Sequence, residues 1–248
     1  MGAKTQNGFT IIEVMLFLAV TGMLAAAILV GSGVAIGQQR YRDSVSSLQS
    51  YIQQQYNKST NVTNDRDKKW NCDSNGTVTE VDASAGEARG TSDCVVLGRL
   101  VTVDATGTNL TSAVVVGYHN PNGTAQASDI DEIATNYKLG IAPIDKDDES
   151  VNWGAQVVKP KTATPMPITF LIVRSPLSGA MLTFSKEGVQ TNPNGMIDAA
   201  NMSVQRDLCV NADAGSFVGR RLEVRVEAYA TSQSAVQIPT ESDSVCDS

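Results

Sequence analysis

An apolar stretch of 29 residues near the start of the chain, from Phe9 to Gly37, limits what this sequence can fold into. As an α-helix, it extends about 43 Å and exceeds the roughly 30 Å hydrocarbon core of a bilayer. Its one charged residue is Glu13, and a carboxylate within a membrane helix costs roughly 2.5–3.5 kcal/mol on insertion scales. The sequence therefore predicts a membrane-spanning helix in which Glu13 has a function of its own.

The residues before this stretch do not form an ordinary secretory signal. Such signals combine a positive n-region, an apolar segment of roughly 7–15 residues and a small-residue cleavage site after it. Here the leader, MGAKTQNG, contains a single lysine, and its small residue, Gly8, precedes an apolar stretch that is too long. A plain N-terminal anchor would explain the length of the stretch but would leave Glu13 without a role.

The hexapeptide GFTIIE, from Gly8 to Glu13, resembles the class III signal of type IV pilins and of the pseudopilins of type II secretion. That signal has a glycine, an apolar residue that is most often phenylalanine, and a glutamate five residues after the glycine, all before a long apolar helix. The resemblance implies that a prepilin peptidase cuts after Gly8 and methylates the new N-terminal amine of Phe9. It covers the N-terminal segment and implies only an architecture for the rest of the chain.

The same resemblance gives Glu13 a physical role. Cleavage creates a positive amine on Phe9, and in this family the glutamate of one subunit is taken to neutralise the terminal amine of its neighbour in the filament. Removing one partner of a buried ion pair costs roughly 3–5 kcal/mol, so such a pair favours one axial register between subunits. Glu13 is therefore expected to be an assembly residue and not a catalytic one.

The helix is predicted to continue beyond the apolar stretch to residue 57. Apolar residues recur there every three or four positions and form one stripe of a helix with a period of 3.6 residues. These residues are Tyr41, Val45, Leu48, Ile52 and Tyr56. Arg40 and Arg42 would meet the membrane interface. Because positive residues usually mark the cytoplasmic side, they weakly oppose an orientation with the globular part outside, and the signal motif is given more weight.

The resemblance and the stripe together predict an α+β, pilin-like fold, in which a long N-terminal helix packs on an antiparallel β-sheet domain. The predicted divisions are a leader at 1–8, a helix at 9–57 with its transmembrane and assembly segment at 9–37, and a β-rich globular domain at 58–248. Short β-prone segments between turn residues indicate the strands of that domain. They are 77–81, 112–119, 168–174, 180–186, 206–210 and 221–229.

Three local predictions accompany these strands. Residues 221–229 alternate, with Glu223 and Arg225 on the polar side, and therefore predict a half-exposed antiparallel strand. Residues 129–139 predict a short helix that Ser128 or Asp129 would cap. Residues 102–112 combine threonine with aspartate, glycine, asparagine and serine and are expected to form a polar loop.

The four cysteines form an even set in a domain expected to lie outside the membrane, which favours two disulfides over free thiols. Three connectivities are possible, and adjacency along the sequence favours Cys72–Cys94 and Cys209–Cys246. The second bond would tie the polar C-terminal tail to a strand. A zinc site is disfavoured, because the chain has no CxxC motif and a single histidine, His119.

No sequence motif indicates catalysis or a cofactor: the chain has no GxSxG, no P-loop and no dinucleotide fingerprint. The acidic run 145–149 lacks the spacing and the glycine of an EF-hand calcium loop, so a solvated loop is favoured. His119 has no nearby nucleophile or carboxylate motif and is expected to be structural. The sequence therefore predicts neither an enzyme nor a bound cofactor.

The formal net charge of −7 does not suggest broad binding of a phosphate backbone, so no nucleic-acid partner is expected. Arg220, Arg221 and Arg225 form only a small basic cluster near one strand. The expected partners are the membrane, other pilin subunits in a homo- or hetero-oligomer, a prepilin peptidase and the pilus assembly machinery. The expected location is a single pass of the cytoplasmic membrane before assembly, and an extracellular pilus or the cell surface afterwards.

Three functions stay open at this point. The favoured one is a structural subunit of a type IV pilus, polymerised through its hydrophobic helix for adhesion, motility or DNA uptake. A pseudopilin of a type II secretion system has the same signal. A membrane-anchored surface protein that binds a ligand is the alternative from another class, and only this third function predicts that Glu13 is dispensable.

Overall fold

The computed structural model describes residues 10–61, 69–81, 94–143, 145–212, 220–240 and 244–246. Helix α1 spans Ile11–Thr60, and Thr10 caps it by accepting a hydrogen bond from the Glu13 N–H (3.3 Å). The apolar stretch and the amphipathic stripe thus belong to one continuous helix of 50 residues, which ends three residues beyond position 57. The leader, Gly8 and Phe9 lie outside the described residues.

The described part of the chain contains twelve β-strands and two further short α-helices. The strands are β1 (Lys69–Cys72), β2 (Val78–Val81), β3 (Cys94–Val103), β4 (Asn109–His119), β5 (Tyr137–Ile141), β6 (Asp147–Ser150), β7 (Gln156–Val158), β8 (Ile168–Arg174), β9 (Met181–Glu187), β10 (Arg206–Asn211), β11 (Leu222–Val226) and β12 (Val236–Gln237). The helices are α2 (Asp129–Asn136) and α3 (Ala199–Met202).

The described strands pair antiparallel and form three sheets. The largest has the order β5-β4-β3-β8-β9, and β6 also pairs with β4. The second has the order β12-β11-β10-β7, and β1 pairs with β2 alone. A long N-terminal helix packed on antiparallel sheets confirms the predicted α+β, pilin-like architecture.

The second half of α1 lies against both larger sheets. Val45 and Ile52 of the predicted apolar stripe are 0% and 1% exposed, because they form a common core with side chains of both sheets. The opposite face of the large sheet forms a second core with Ile133 of α2 and Met202 of α3. The large sheet is therefore covered on both faces.

Two predictions about helices and loops were wrong in part. Ser128 caps α2 as expected, but the helix ends at Asn136, and residues 137–141 form β5 because they pair with β4. Residues 102–112 do not form one loop, since β3 continues to Val103 and β4 begins at Asn109. Between them lies a tight turn in which the Gly107 N–H donates to the Asp104 carbonyl (3.1 Å).

Strand β3 lies at the centre of the large sheet and was not predicted. It pairs with β4 on one side and with β8 on the other, and Gly98 permits the approach of β8. A Cβ at that position would stand 1.9 Å from the Ile172 carbonyl oxygen. The predicted strand 221–229 is shorter than expected and ends at Val226, and Tyr229 has a φ of 53°.

Candidate assembly helix and its anchorage

The first half of α1 is an apolar surface without cover from the described part of the chain. Its large side chains are exposed, including Ile11 (77%), Met23 (77%) and Leu29 (73%). The helix is apolar and long enough to cross a membrane, and none of its most apolar window is buried. Apolar area of this extent requires a lipid or a protein partner, because soluble monomers rarely expose large contiguous apolar patches.

Glu13 lies on this exposed surface, in the first turn of α1. A carboxylate in the first turn of a helix interacts favourably with the helix dipole, so this position tolerates the charge better than the middle of the helix. Its backbone N–H is satisfied by Thr10. The side chain is therefore placed so that a positive group of another molecule can approach it.

The second half of α1 is held by hydrogen bonds as well as by its apolar stripe. The Tyr41 hydroxyl donates to the Val210 carbonyl (2.7 Å) and accepts from the Leu222 N–H (2.6 Å), so it joins the helix to β10 and β11. Further along, Gln49 and Gln53 both donate to the Val236 carbonyl. These bonds fix the helix along the smaller sheet.

The large sheet holds α1 through an arginine that sequence analysis missed. Arg99 of β3 is 3% exposed, and its guanidinium donates to Ser112 (2.7 Å), to the Asp145 carboxylate (2.8 Å) and to the Asp147 carboxylate (2.9 Å). Ser112 in turn donates to Gln55 of the helix (2.7 Å). A single basic residue within an otherwise apolar strand was the available sequence signal, since a buried charge requires partners.

The acidic run 145–149 is not simply a solvated loop. Residues 147–150 form β6, and the carboxylates of Asp145 and Asp147 accept from Arg99. Asp147 also accepts from Lys58 of α1 through its carboxylate and from Tyr51 through its carbonyl. Burial, followed by the charge of Asp147, raises the pKa of the Tyr51 phenol well above its usual value, so this residue stays a neutral donor.

Tyr56 forms the last polar contact of the helix stripe. It is 2% exposed, and its hydroxyl lies 2.9 Å from the Thr183 hydroxyl of β9. Burial raises the pKa of Tyr56 to about 12. The helix is therefore joined to β9 by neutral groups, which do not change charge in the physiological range.

Two disulfides each hold a strand to a second segment of the chain. Cys72 is bonded to Cys94, and Cys209 is bonded to Cys246, which is the connectivity that sequence adjacency favours. Cys209 and Cys246 are both 0% exposed and pack against Val158. The second bond ties the C-terminal tail to β10.

Beneath this tail lies a buried carboxylate that the alternating pattern placed on the exposed side. Glu223 is 1% exposed, accepts from the Val245 N–H (2.9 Å) and pairs with Arg225 (2.8 Å). Arg225 also pairs with Asp207 (2.9 Å). Burial and, less strongly, the Asp207 carboxylate raise the pKa of Glu223 above its usual value. The prediction of a half-exposed strand was wrong at Glu223, because the tethered tail covers it.

His119 lies at the end of β4, with its ring 5.0 Å from the ring of Tyr137. Within the described ranges, no group of three or more His, Cys, Asp or Glu residues could hold a metal ion.

Comparison with known proteins supports the class that the helix and its first turn define. Residues 3–29 match the family model described as the prokaryotic N-terminal methylation motif. This motif is the class III prepilin signal of type IV pilins and pseudopilins, so the resemblance seen in GFTIIE is confirmed. No curated protein and no solved structure matches the chain.

The motif supports membership of this chain in the type IV pilin and pseudopilin family. It implies processing by a prepilin peptidase and assembly with other pilin subunits. The motif and the apolar helix together indicate membrane anchoring that precedes assembly. Proteins of this family are structural and generally not enzymes.

Proposed function

We propose that this chain is a structural subunit of a type IV pilus, without catalytic activity or cofactor, that serves adhesion, motility or DNA uptake. In this proposal, residues 1–8 are a leader removed by cleavage after Gly8, and Phe9 is the N-methylated first residue. The helix polymerises through residues 9–37, and 58–248 form one β-rich globular domain outside the membrane.

The uncovered first half of α1 carries this proposal. Its apolar side chains are exposed from Ile11 onward, including the described residues that match the methylation motif, whereas its second half is held by two sheets. Such a helix suits two environments in turn, first a bilayer and then a bundle of identical helices, since both cover apolar area. Glu13 supplies the one charge on this surface that a terminal amine of a neighbouring subunit would neutralise.

A pilus is favoured over a pseudopilus by the size of the globular part and its long polar connections. Immunogold electron microscopy of the native cells tests this choice. Surface fibres labelled by an antibody against the globular domain support the pilus. Normal surface appearance, together with loss of protein secretion when the gene is deleted, would support the pseudopilin instead.

The processing step is tested by mass spectrometry of the N-terminal peptide of the protein from its own cells. We expect a peptide that begins at Phe9 and has the mass of one added methyl group. A terminus at Met1 or Gly2 in the surface population would contradict the proposal, because the motif would then be unused.

The role of Glu13 is tested with three variants expressed in the same cells. Glu13→Ala and Glu13→Gln remove the charge and are expected to abolish assembly, whereas Glu13→Asp keeps the charge and is expected to retain part of it. All three variants should still reach the membrane, since the apolar stretch is unchanged. Fibres formed by Glu13→Gln at the wild-type level would show that the charge is not needed.

A further inference from the structure

An exposed tryptophan and an arginine pack together where the apolar stretch ends. The Arg40 guanidinium carbon lies 4.7 Å from the ring centroid of Trp153, which is 54% exposed. Trp153 has a φ of 59°, a left-handed conformation in which a bulky side chain is a genuine outlier. The neighbouring bonds hold it there: Asn152 donates to Ser47 of α1 (3.0 Å), and the Val151 N–H donates to the Thr108 carbonyl (2.8 Å).

The helix geometry places this pair next to the membrane surface of an inserted helix. Arg40 follows Gly37, the last residue of the apolar stretch, by three residues, which corresponds to about 4.5 Å along the helix axis. Trp153 brings a part of the globular domain to this level, because it contacts Arg40. Tryptophan is enriched at membrane interfaces, because its ring suits the apolar boundary and its N–H suits the headgroups.

The smaller sheet directs another arginine to the same end. Tyr41 binds the Leu222 N–H, whereas Gln49 and Gln53 bind the carbonyl of Val236, the partner of Val226. Strand β11 therefore runs beside α1, with its Leu222 end nearest to the apolar stretch. Exposed Arg220 precedes Leu222 and lies up to about 7 Å further in that direction.

Arg42 completes the group, since it is exposed on the opposite side of Tyr41 from Arg40. We call Arg40, Arg42, Trp153 and Arg220 the basic rim. Two carboxylates also lie at this end of the described domain. Asp43 is exposed on the helix, and Asp104 accepts hydrogen bonds from the turn between β3 and β4. The three arginines of the rim therefore outnumber these two neighbouring carboxylates by one charge.

We propose that the basic rim docks the globular domain on anionic phospholipid headgroups while the subunit waits in the membrane. This proposal rests on membrane insertion of α1, which is part of the proposed function. Guanidinium groups bind phosphate in a bidentate manner, and Trp153 suits the layer just below the phosphates. The chain has a net charge of −7, so an anionic surface repels most of the domain and selects the orientation in which the rim faces the membrane.

Docking also accounts for two arginines that the rule of cytoplasmic positive charge does not explain. Arg40 and Arg42 can bind phospholipid headgroups on either side of the membrane, so their position does not require a cytoplasmic location. The rim leaves the headgroups when the helix moves into a filament, because the neighbouring helices then replace the bilayer around residues 9–37. The contact would hold each subunit upright with Glu13 at a constant depth before assembly.

The test measures how close Trp153 comes to lipid headgroups. The full chain with Trp70→Phe, which leaves Trp153 as the single tryptophan, is reconstituted in vesicles that contain a headgroup spin-labelled lipid as quencher. Vesicles of phosphatidylcholine alone are compared with vesicles that also contain phosphatidylglycerol. Carbonate extraction of the same samples reports insertion of the helix independently.

The informative variant is Arg42→Gln with Arg220→Gln, because neither residue contacts Trp153. The matched control is Lys138→Gln with Arg174→Gln. These two exposed positive residues lie at the end of the large sheet that is far from the apolar stretch. Arg174 is two residues beyond Ile172, which pairs with Thr183, and the Thr183 hydroxyl contacts Tyr56 near the end of α1.

We expect stronger quenching of Trp153 in anionic vesicles, and loss of the difference in high salt. Each arginine near an anionic surface contributes roughly a factor of five, so the rim variant, which removes two arginines, should lower the docked-to-free ratio by about 25-fold while the control leaves it unchanged. Equal quenching in both lipids, with the helix inserted, would overturn docking and leave the pilin proposal intact. Quenching that rises with protein density and not with anionic lipid would assign the rim to a neighbouring subunit instead. Complete carbonate extraction would refute insertion, and with it both proposals.

Discussion

Removing the disulfide between Cys209 and Cys246 gives a sharp test of how the C-terminal tail is held. The two cysteines are 37 residues apart, and for a loop of this size the chain-entropy model gives about 3.8 kcal/mol of stabilisation at room temperature. Both side chains are 0% exposed, so the paired substitution Cys209→Ala and Cys246→Ala also removes buried contacts. We therefore expect the free energy of unfolding to fall by about 4–5 kcal/mol.

The control is the other disulfide, Cys72–Cys94, whose cysteines are 22 residues apart. The same model gives about 3.4 kcal/mol for it, so chain entropy alone predicts nearly equal losses. Cys94 is 8% exposed and Cys72 is partly exposed, so less packing is lost there. A larger loss at Cys209–Cys246 thus measures the packed tail and not the length of the loop.

The assay is urea unfolding of the chain in detergent micelles, followed by tryptophan fluorescence and far-ultraviolet circular dichroism. Coincident transitions by both probes are needed before the free energies are compared. A loss below about 1 kcal/mol for the pair Cys209→Ala and Cys246→Ala would refute the reasoning, because neither the entropy term nor the buried contacts would then contribute. Faster proteolysis of the tail under native conditions is the accompanying local readout.

Two further predictions concern buried charges. Arg99→Ala should lower the free energy of unfolding, measured with urea, by about 3 kcal/mol, which is the low end for a broken buried ion pair because both carboxylate partners stay partly hydrated. Exposed Arg174→Ala should lower it by less than about 0.5 kcal/mol. Equal losses would contradict the anchoring role of Arg99. The pKa of Glu223 is raised above 4.5, so the stability it contributes is present below pH 4.5 and declines as the pH rises through the folded-state pKa. Glu223→Gln, which does not titrate, should therefore gain stability relative to the wild type over that rise, and a difference that stays constant with pH would contradict the buried, proton-binding state.

The sequence was most informative where the signal is local. The period of 3.6 between Tyr41 and Tyr56 identified the buried side of α1, because each helical residue lies on a side fixed by its neighbours along the chain. The two strands of the β8–β9 hairpin were also predicted, at 168–174 and 180–186, since each is a β-prone segment and a turn separates them. In both cases the residues that form the pattern are close to one another in the sequence.

Strand β3 shows why other parts could not be predicted. Its residues, CVVLGRLVTV, do not alternate because the strand is buried in the middle of the sheet, and a short apolar run of this kind is ambiguous between strand and helix. The same holds for residues 137–141, which end α2 and become a strand because β4 offers hydrogen-bond partners. Pairing with distant strands, and not local propensity, determined these elements.

The sequence by itself determined the apolar helix, the methylation motif with Glu13, and the even set of cysteines, because each depends on residue types at fixed spacings. Only the tertiary structure decided where charges lie. Arg99 is buried because the acidic run 145–149 brings two carboxylates to it, Glu223 is buried because a disulfide draws the tail over it, and Trp153 meets Arg40 because residues 152–154 lie against α1. Each of these contacts joins residues more than twenty positions apart, so its energy depends on the fold and leaves no periodic trace in the sequence.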